Sequence, residues 1–399
     1  MGLGLGHSEP CLKPNEESMN ISPTDFPEDL YDRIRNILES SHIKVARTVN
    51  TVQVLSNWLI GYAIVEAEQQ GQQRAEYGDK SLQNLSAQLT QEFGKGYSHS
   101  TLKLMRQFYL SFPRLIPPDQ ISYALRSQFT SIPELTSLST PNPSWQPGEL
   151  HPNLSWTHYR TLMRVNRSEA RSFYEIESLK NNWSARELER QINSLLFERL
   201  AKSLDQEGVL KLATQGQIIQ RPSDVFKDPL VIEFLGFPES PRLVESDLET
   251  ALITNLQAFL LELGKGFAFV KRQERITLDG DHFYIDLVFY HAILKCYILI
   301  DLKVGKLNHE DLGQLQLYVN YYDQERRTDD DNPTLGLILC TDKNDAVVRY
   351  TLGPAQQNKI FASRYQLHLP TEAEIQAEIR RELDQFSLDQ SNPDQSSGA

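Results

Sequence analysis

Cysteine is scarce in this sequence. Only three occur in 399 residues, at Cys11, Cys296 and Cys340, and they are widely spaced. A disulfide framework or a zinc knuckle would need cysteines in pairs at short spacing. The nine histidines also lack the H-x-H and H-E-x-x-H patterns of zinc hydrolases. We therefore expect reduced thiols, as in a cytoplasmic protein, and no zinc chemistry.

Long hydrophobic runs are absent as well. The longest apolar stretches lie at residues 287–290 and 297–300, far short of the roughly 20 residues that a membrane helix needs. The N-terminal residues do not combine a positively charged segment with an apolar one, so no secretory signal is expected. These absences favour a cytoplasmic protein without a membrane partner.

The sequence has no excess of positive charge. It contains 40 Lys and Arg against 53 Asp and Glu, a formal net charge of −13. Proteins that hold nucleic acid through overall electrostatic attraction carry the opposite balance. Local basic patches are compatible with this total, and a metal-dependent nuclease itself requires carboxylates. Overall charge therefore decides neither for nor against a nucleic-acid partner.

The length of 399 residues exceeds one ordinary hydrophobic core and predicts about two or three domains. Helical periodicity dominates the first part of the chain, and short strands rich in aromatic and branched residues dominate the last part. Eight prolines at 113–152 predict an extended connector. The predicted segments are a disordered leader at 1–27, a helical N-terminal domain at 28–112, the Pro-rich connector at 113–153, a helical middle region at 154–240, an α/β domain at 241–375, and a helical end with a disordered tail at 376–399.

A glycine-rich turn separates two predicted helices of the N-terminal domain. Gly94 and Gly96 lie in this turn, and Ser98 is placed to cap the helix that follows. The arrangement is typical of a helix-turn-helix, in which Lys103 and Arg106 would be available to DNA. A simple helical hairpin with solvated charges fits equally well, and both interpretations stay open.

The C-terminal domain is predicted to be a mixed α/β domain with the element order α-β-β-β-α-β. An amphipathic helix at 246–263 begins the domain, and residues 366–369 form a candidate last strand. The first three strands are predicted at 267–270, 283–290 and 295–302, the next helix at 312–322, the next strand at 335–340 and a short helix at 345–352.

Two of these strands are apolar except for the residues that could carry chemistry. Asp286 interrupts one strand, and Asp301 and Lys303 end the next at positions i and i+2. Because strand side chains alternate, Asp301 and Lys303 point to the same side of the sheet, and a hairpin would bring Asp286 near them. Converging carboxylates can hold Mg²⁺, which activates water for phosphodiester hydrolysis. An isolated D-x-K would more simply be a structural ion pair, but the whole combination is more specific.

The same residues resemble a known nuclease signature. Asp286, Asp301 and Lys303 are similar to the PD-(D/E)xK motif without its proline, and Gln314 with Tyr318 resembles the Q-x-x-x-Y motif of RecB-like members. Longer strings resemble the YhcG-type family of predicted PD-(D/E)xK nucleases over residues 30–375. The resemblance implies a restriction-endonuclease-like C-terminal core and a helical N-terminal domain. The strings lie at 58–61, 74–78, 182–189, 264–270, 278–286 and 340–344.

The resemblance also implies a metal centre. Asp286 and Asp301 would be ligands of Mg²⁺, for which Mn²⁺ could substitute. Lys303 would position or activate the attacking water, or stabilise the transition state. Such folds add a glutamate from the first core helix. Glu249, early in that helix, is the preferred third ligand over Glu262, which is expected to be a solvated residue at the helix end.

Two further residues receive roles from the resemblance. Gln314 would contact DNA or the water of the site. Tyr318 lies one helical turn later on the same face, where it would contact DNA or, equally, be a core aromatic residue.

These features predict a magnesium-dependent phosphodiesterase that cuts DNA, with N-terminal helices that bind DNA or a protein partner. Two alternatives stay open: a non-catalytic DNA-binding or assembly protein on a nuclease scaffold, and an RNA-directed nuclease. Two cuts in a duplex normally need two sites, so a homodimer is a further expectation. Endonuclease and exonuclease action both fit the sequence.

Overall fold

The computed structural model describes residues 28–70, 77–116, 143–202, 204, 206–237, 243–371 and 373–374. The predicted leader at 1–27, the tail at 376–399 and most of the Pro-rich connector lie outside the described residues. The described helices are α1 (Glu28–Gln70), α2 (Tyr77–Phe93), α3 (His99–Ser111), α4 (Trp156–Leu162), α5 (Ser168–Lys180), α6 (Ala185–Asn193), α7 (Leu196–Ala201), α8 (Gln206–Gln215), α9 (Glu245–Thr254), α10 (Leu256–Leu263), α11 (His309–Glu325) and α12 (Asp345–Thr351). The described strands are β1 (Leu230–Val231), β2 (Phe267–Leu278), β3 (Asp281–His291), β4 (Cys296–Lys306), β5 (Leu335–Asp342) and β6 (Ile360–Gln366).

Helices α1 and α3 pack closely against each other. A side chain at Gly61 would bring its Cβ within 2.0 Å of the backbone oxygen of Met105, so this approach requires glycine. The buried Trp58 donates its indole N–H to the backbone oxygen of Phe112 at 2.7 Å. The Ser98 hydroxyl accepts a backbone N–H of the first turn of α3, which confirms the predicted cap.

The helices on both sides of the Pro-rich connector share one hydrophobic core. Trp58 and Phe108 from the N-terminal helices belong to the same buried cluster as Phe173 from α5. Leu115 and Leu154, which flank the connector, are buried in this cluster too. The predicted N-terminal domain and the helices of the predicted middle region therefore form one helical body, whereas Val225, Leu230 and Ile232 at the end of that region belong to the core of the sheet.

A six-stranded mixed sheet follows the helical body, with the strand order β1-β6-β5-β4-β3-β2. Strands β2, β3 and β4 are antiparallel neighbours, whereas β4, β5, β6 and β1 run parallel. The central strands β4 and β5 are buried along most of their length, because α9 and α10 cover one face and α11 the other. The predicted restriction-endonuclease-like α/β core is thus confirmed.

Several predicted elements have different bounds in the structure. The helix at 246–263 is two helices, α9 and α10, and the break lies at Asn255, whose amide donates to the backbone oxygen of Ala251. The last strand lies at Ile360–Gln366, not at 366–369. The two-residue strand β1 was not predicted, because so short a segment cannot show alternation.

The two described cysteines, Cys296 and Cys340, are free and buried in the sheet. Burial raises the pKa of each thiol to about 12, so both stay protonated and unreactive near neutral pH. Among the described helices, none is both long enough and apolar enough to cross a bilayer.

Candidate active site

Asp286 lies at a point where strand pairing opens on both sides of β3. The β2–β3 ladder pairs Arg272 with Leu287 and omits the next position, where Gln273 stands opposite Asp286. The β3–β4 ladder ends at the pair of Leu287 and Ile300, one residue before Asp286 and Asp301 would meet. The Asp286 Oδ2 accepts the backbone N–H of Leu302 at 2.8 Å instead. The carboxylate therefore replaces a ladder bond and occupies the gap.

Asp301 and Lys303 extend from β4 beside this gap. The Asp301 side chain is only 2% exposed and the Lys303 side chain 20% exposed, and the Lys303 Nζ lies 3.3 Å from the Asp301 Oδ2. Two helix-borne carboxylates also approach the ammonium: the Nζ lies 3.8 Å from Glu245 and 3.9 Å from Asp311. The alternation of β4 has therefore placed Asp301 and Lys303 on one side of the sheet.

The electrostatics of this cluster reveal a shortage of positive charge. Burial raises the pKa of Asp301 to about 7, against the opposing effect of Lys303 and with a further contribution from Asp286. Burial also raises the pKa of Asp286, and the charge of Glu249 adds to this rise against the hydrogen bond from Leu302. The positive charge of Lys303 therefore does not offset the burial of these two aspartates.

Lys303 keeps its proton in this environment. Burial by itself would lower the pKa of Lys303, but the negative charges of Asp301 and Glu245 outweigh burial and raise it. The side chain is therefore a cation at neutral pH, suited to stabilising negative charge that develops on a phosphate.

Glu249 reaches the same gap from helix α9. Its side chain is buried, and its Oε2 accepts a hydrogen bond from the Gln273 Nε2 at 2.7 Å. The same amide nitrogen donates to the Asp286 Oδ1 at 3.0 Å. The other Glu249 oxygen, Oε1, lies 3.1 Å from the Arg272 Nε. One amide thus links the carboxylates of Glu249 and Asp286.

Glu262 is not part of this cluster, and the expectation that it is solvated is wrong. Its side chain is 0% exposed and lies 2.6 Å from the Arg199 Nη1 and 3.2 Å from the Arg190 Nη1. It also accepts the backbone N–H of Val231. The positive charges of Arg199, Lys227 and Arg190 outweigh burial and lower its pKa to about 2. Helix α10 buries Glu262 because the arginines from α6 and α7 meet it there.

Tyr318 is the predicted DNA contact that the structure corrects. The side chain is 0% exposed and belongs to the core beneath α11, so DNA cannot reach it. Its hydroxyl accepts a hydrogen bond from the Gln314 Nε2. Burial raises the pKa of Tyr318, and the charges of Asp301 and Asp286 contribute. Tyr318 is a core aromatic residue that holds Gln314 next to the acidic cluster.

Lys103 and Arg106 lie on α3 in the helical body and not in the acidic cluster. Lys103 is exposed, and the Arg106 Nε lies 2.9 Å from the Glu68 Oε2 on α1. The proposed contact of these two residues with DNA stays a prediction.

The acidic cluster suits a divalent cation. Within the described part of the chain, no three acidic, histidine or cysteine side chains already stand as a complete ligand set. The Asp301 Oδ2 and the Glu249 Oε1 are nevertheless buried, and each meets a cation, Lys303 at 3.3 Å and Arg272 at 3.1 Å, without a well-formed hydrogen bond. Buried oxygens of this kind, with the raised pKa values of two aspartates, fit a hard cation such as Mg²⁺.

Sequence reasoning missed four residues around the cluster. Glu245 and Asp311 stand in the first turns of α9 and α11, where acidic residues are common because they favour the positive helix end. Arg272 and Gln273 stand in an exposed run of the edge strand β2. Nothing in the local sequence distinguishes any of the four from ordinary surface residues.

Two family models match the chain. The family model for the "YhcG PDDEXK nuclease domain" matches residues 223–383, and that for the "DUF1016 N-terminal domain" matches residues 33–199. A protein of Escherichia coli (strain K12) named "Putative nuclease YhcG" is 36% identical over 370 residues, which is 92% of this chain and 96% of the relative.

Solved structures resemble only part of the chain. A repair endonuclease from Pyrococcus abyssi is 14% identical with a TM-score of 0.24, covering 33% of this chain and 50% of its own. An EndoMS–dsDNA2 complex is 13% identical with a TM-score of 0.24, covering 34% of this chain and 51% of its own. The match along nearly the full sequence of the E. coli relative, together with both family domains, shows that the chain belongs to the YhcG family of PDDEXK nuclease-domain proteins.

Proposed function

We propose that this chain is a metal-dependent nuclease that hydrolyses phosphodiester bonds of DNA. One observation carries the proposal. Asp286, Asp301 and Lys303 converge where β3 and β4 separate, and the charge of Lys303 does not offset the burial of the two aspartates. Membership of a nuclease-domain family supports the same reaction. The DNA-bound EndoMS chain is an analogy for the substrate only.

Asp286, Asp301 and Glu249 would hold the divalent cation, Mg²⁺ or Mn²⁺ in its place. When bound, the cation supplies the charge that polarises a phosphate and lowers the pKa of an attacking water. The three carboxylates come from β3, β4 and α9. This arrangement on packed elements favours a rigid site.

Lys303 would orient the attacking water or stabilise the charge that develops on the phosphate oxygens. Its ammonium is positioned by Asp301, with Glu245 and Asp311 nearby. Gln314, which Tyr318 holds in place, would contact DNA or the same water.

Three basic side chains lie close to the site although the net charge of the chain is −13, and two of them, Lys271 and Arg272, are paired with Glu274 and Glu249. Lys271, Arg272 and Arg275 are exposed on the edge strand β2, which also carries Gln273. Such a surface favours a polyanion by local attraction. Lys103 and Arg106 in the helical body would add DNA contacts, or that body would bind a protein partner. We also propose that the protein acts in the cytoplasm and forms a homodimer.

A plasmid-cleavage assay tests the proposal. Purified full-length protein is incubated with plasmid DNA and Mg²⁺, next to Asp301→Ala and Lys303→Ala. Asp281→Ala, at the exposed start of β3, is the matched control. We expect cleavage by the wild type and the control, and loss of cleavage in both site variants and after chelation of the metal.

The other outcomes separate the alternatives. Cleavage that survives both site substitutions would refute the proposed site. Binding of DNA without cleavage in Mg²⁺ or Mn²⁺ would indicate a non-catalytic protein on a nuclease scaffold. Cleavage of RNA but not of plasmid in the same buffer would move the substrate to RNA.

A further inference from the structure

Gln273 has an unusual backbone conformation next to the acidic cluster. Its φ is +46°, in the left-handed region that residues other than glycine rarely adopt. The flanking residues Arg272 and Glu274 are both paired normally with β3. A single non-glycine residue is thus turned out from between two paired residues of the edge strand, and surrounding contacts must hold it there.

The side chain of Gln273 supplies those contacts. Its Nε2 donates to the Glu249 Oε2 at 2.7 Å and to the Asp286 Oδ1 at 3.0 Å. One amide NH₂ therefore lies between two carboxylates, and bonds from a neutral donor to ionised oxygens are among the stronger hydrogen bonds. No acid–base chemistry is available to an amide, so its role here is one of placement.

We infer that Gln273 is a positioning residue that closes the cation site between Glu249 and Asp286 and lowers its affinity for divalent metal. The inference rests on the proposed function, because it takes these two carboxylates to be metal ligands. In the metal-free protein, the amide holds the two carboxylates together. A cation that binds between the same oxygens must displace the amide, so the two events compete.

The competition between the Gln273 amide and the cation predicts both the direction and the size of a change in metal affinity. The apparent affinity of a site falls by the fraction of molecules in which the site is open. Removing the amide therefore tightens metal binding, and about tenfold is expected from one such hydrogen-bonded contact. The same change removes a stabilising contact from the metal-free protein, so its melting temperature falls. Gln273 is exposed to solvent, so the amide has room to leave the site.

The test is calorimetric titration of full-length protein with MgCl₂, without nucleic acid, alongside thermal unfolding in EDTA. The variants are Gln273→Ala and Gln273→Met, the second of which keeps the length of the side chain but cannot donate. Thr277→Ala on the same strand, whose hydroxyl bonds with His282 outside the cluster, is the neutral control.

We expect both Gln273 variants to bind Mg²⁺ about tenfold more tightly than the wild type and to melt lower in EDTA. Saturating Mg²⁺ should remove the difference in melting temperature, and the control should match the wild type in binding. Unchanged or weaker Mg²⁺ binding by the folded Met variant would overturn the inference while leaving the nuclease proposal intact. If the wild type and every variant fail to bind Mg²⁺ or Mn²⁺, the proposed function fails first and this inference with it.

Discussion

Glu262 and Asp301 are both buried carboxylates, but their surroundings balance their charges to different extents. Glu262 is paired with two arginines and accepts a backbone N–H. Among the described residues, Asp301 is paired with one cation, Lys303, whose Nζ lies 3.3 Å from the buried Oδ2 without a well-formed hydrogen bond. The pKa of Glu262 falls to about 2 and that of Asp301 rises to about 7.

The contrast separates a structural ion cluster from a candidate active site. The cluster around Glu262 joins α10 to Arg190 and Arg199 of the helical body, so it fixes how the two parts of the molecule meet. The cluster around Asp301 carries negative charge that the fold does not neutralise. Uncompensated buried charge is costly for stability and is retained where it serves a ligand or a reaction.

The largest effect is expected from Glu262→Gln. The substitution leaves Arg199 and Lys227 buried without their counter-charge, which should lower the free energy of unfolding by about 3–5 kcal/mol. Urea denaturation measures this loss. Glu207→Gln, in a largely exposed pair with Lys211, is the control and should change little. If Glu262→Gln lost no more unfolding free energy than the control, Glu262 would not be the centre of a structural ion cluster.

Asp301→Asn should abolish function and spare the fold. Removing one preorganised charged group from a site of this kind lowers the rate by about 100- to 1000-fold or more. Because Asn keeps the shape without the buried charge, the unfolding free energy should not decrease. Initial rates of plasmid cleavage and urea denaturation, measured on the same preparation, check both statements. An unfolded Asn variant would place Asp301 among the structural residues.

The two carboxylates should give opposite dependence of stability on pH. The pKa of Asp301 in the folded protein, about 7, lies above its ordinary value of 3.8. The contribution of Asp301 to the free energy of unfolding is therefore present at low pH and is lost as pH rises from about 4 through 7. The folded pKa of Glu262, about 2, lies below its ordinary value of 4.5. Its contribution is present above pH 4.5 and is lost as pH falls toward 2.

Unfolding free energies in EDTA across this pH range can be measured for wild type and Asp301→Asn. As pH rises from about 4 to 7, the unfolding free energy of the variant should increase relative to that of the wild type. Excess Mg²⁺ should make this difference in unfolding free energy smaller, because the cation stabilises the wild type through Asp301. A constant difference over the whole range would contradict the raised pKa of Asp301.

The smallest effect is expected from Arg272→Ala. Arg272 pairs with Glu249 at 3.1 Å, but its side chain is 47% exposed, so solvent screens the interaction. The free energy of unfolding should fall by less than about 1 kcal/mol. Arg199→Met, which removes a fully buried partner of Glu262, is the matched comparison and should cost several times more. If both substitutions lowered the free energy of unfolding equally, solvent exposure would not distinguish the cluster around Asp301 from the cluster around Glu262.

The sequence predicted the order of the main elements better than their bounds. The apolar runs of β3, β4 and β5 are buried strands, which an apolar pattern identifies directly. Strand β2 was predicted only to residue 270 but continues to Leu278. Directly after residue 270, Lys271, Arg272 and Gln273 are exposed and polar and interrupt the apolar pattern, although Ile276 beyond them is buried. The helix break at Asn255 also left no clear signal, because apolar residues continue on both sides.

The sequence by itself determined that Asp301 and Lys303 lie together, because residues i and i+2 of a strand share one side of the sheet. It could not determine which glutamate joins them. Glu249 and Glu262 both follow a helical pattern, and each is buried. Tertiary structure alone brings one to Gln273 and Asp286 and the other to Arg190 and Arg199, because a partner distant in sequence is placed only by the packing of helices on the sheet.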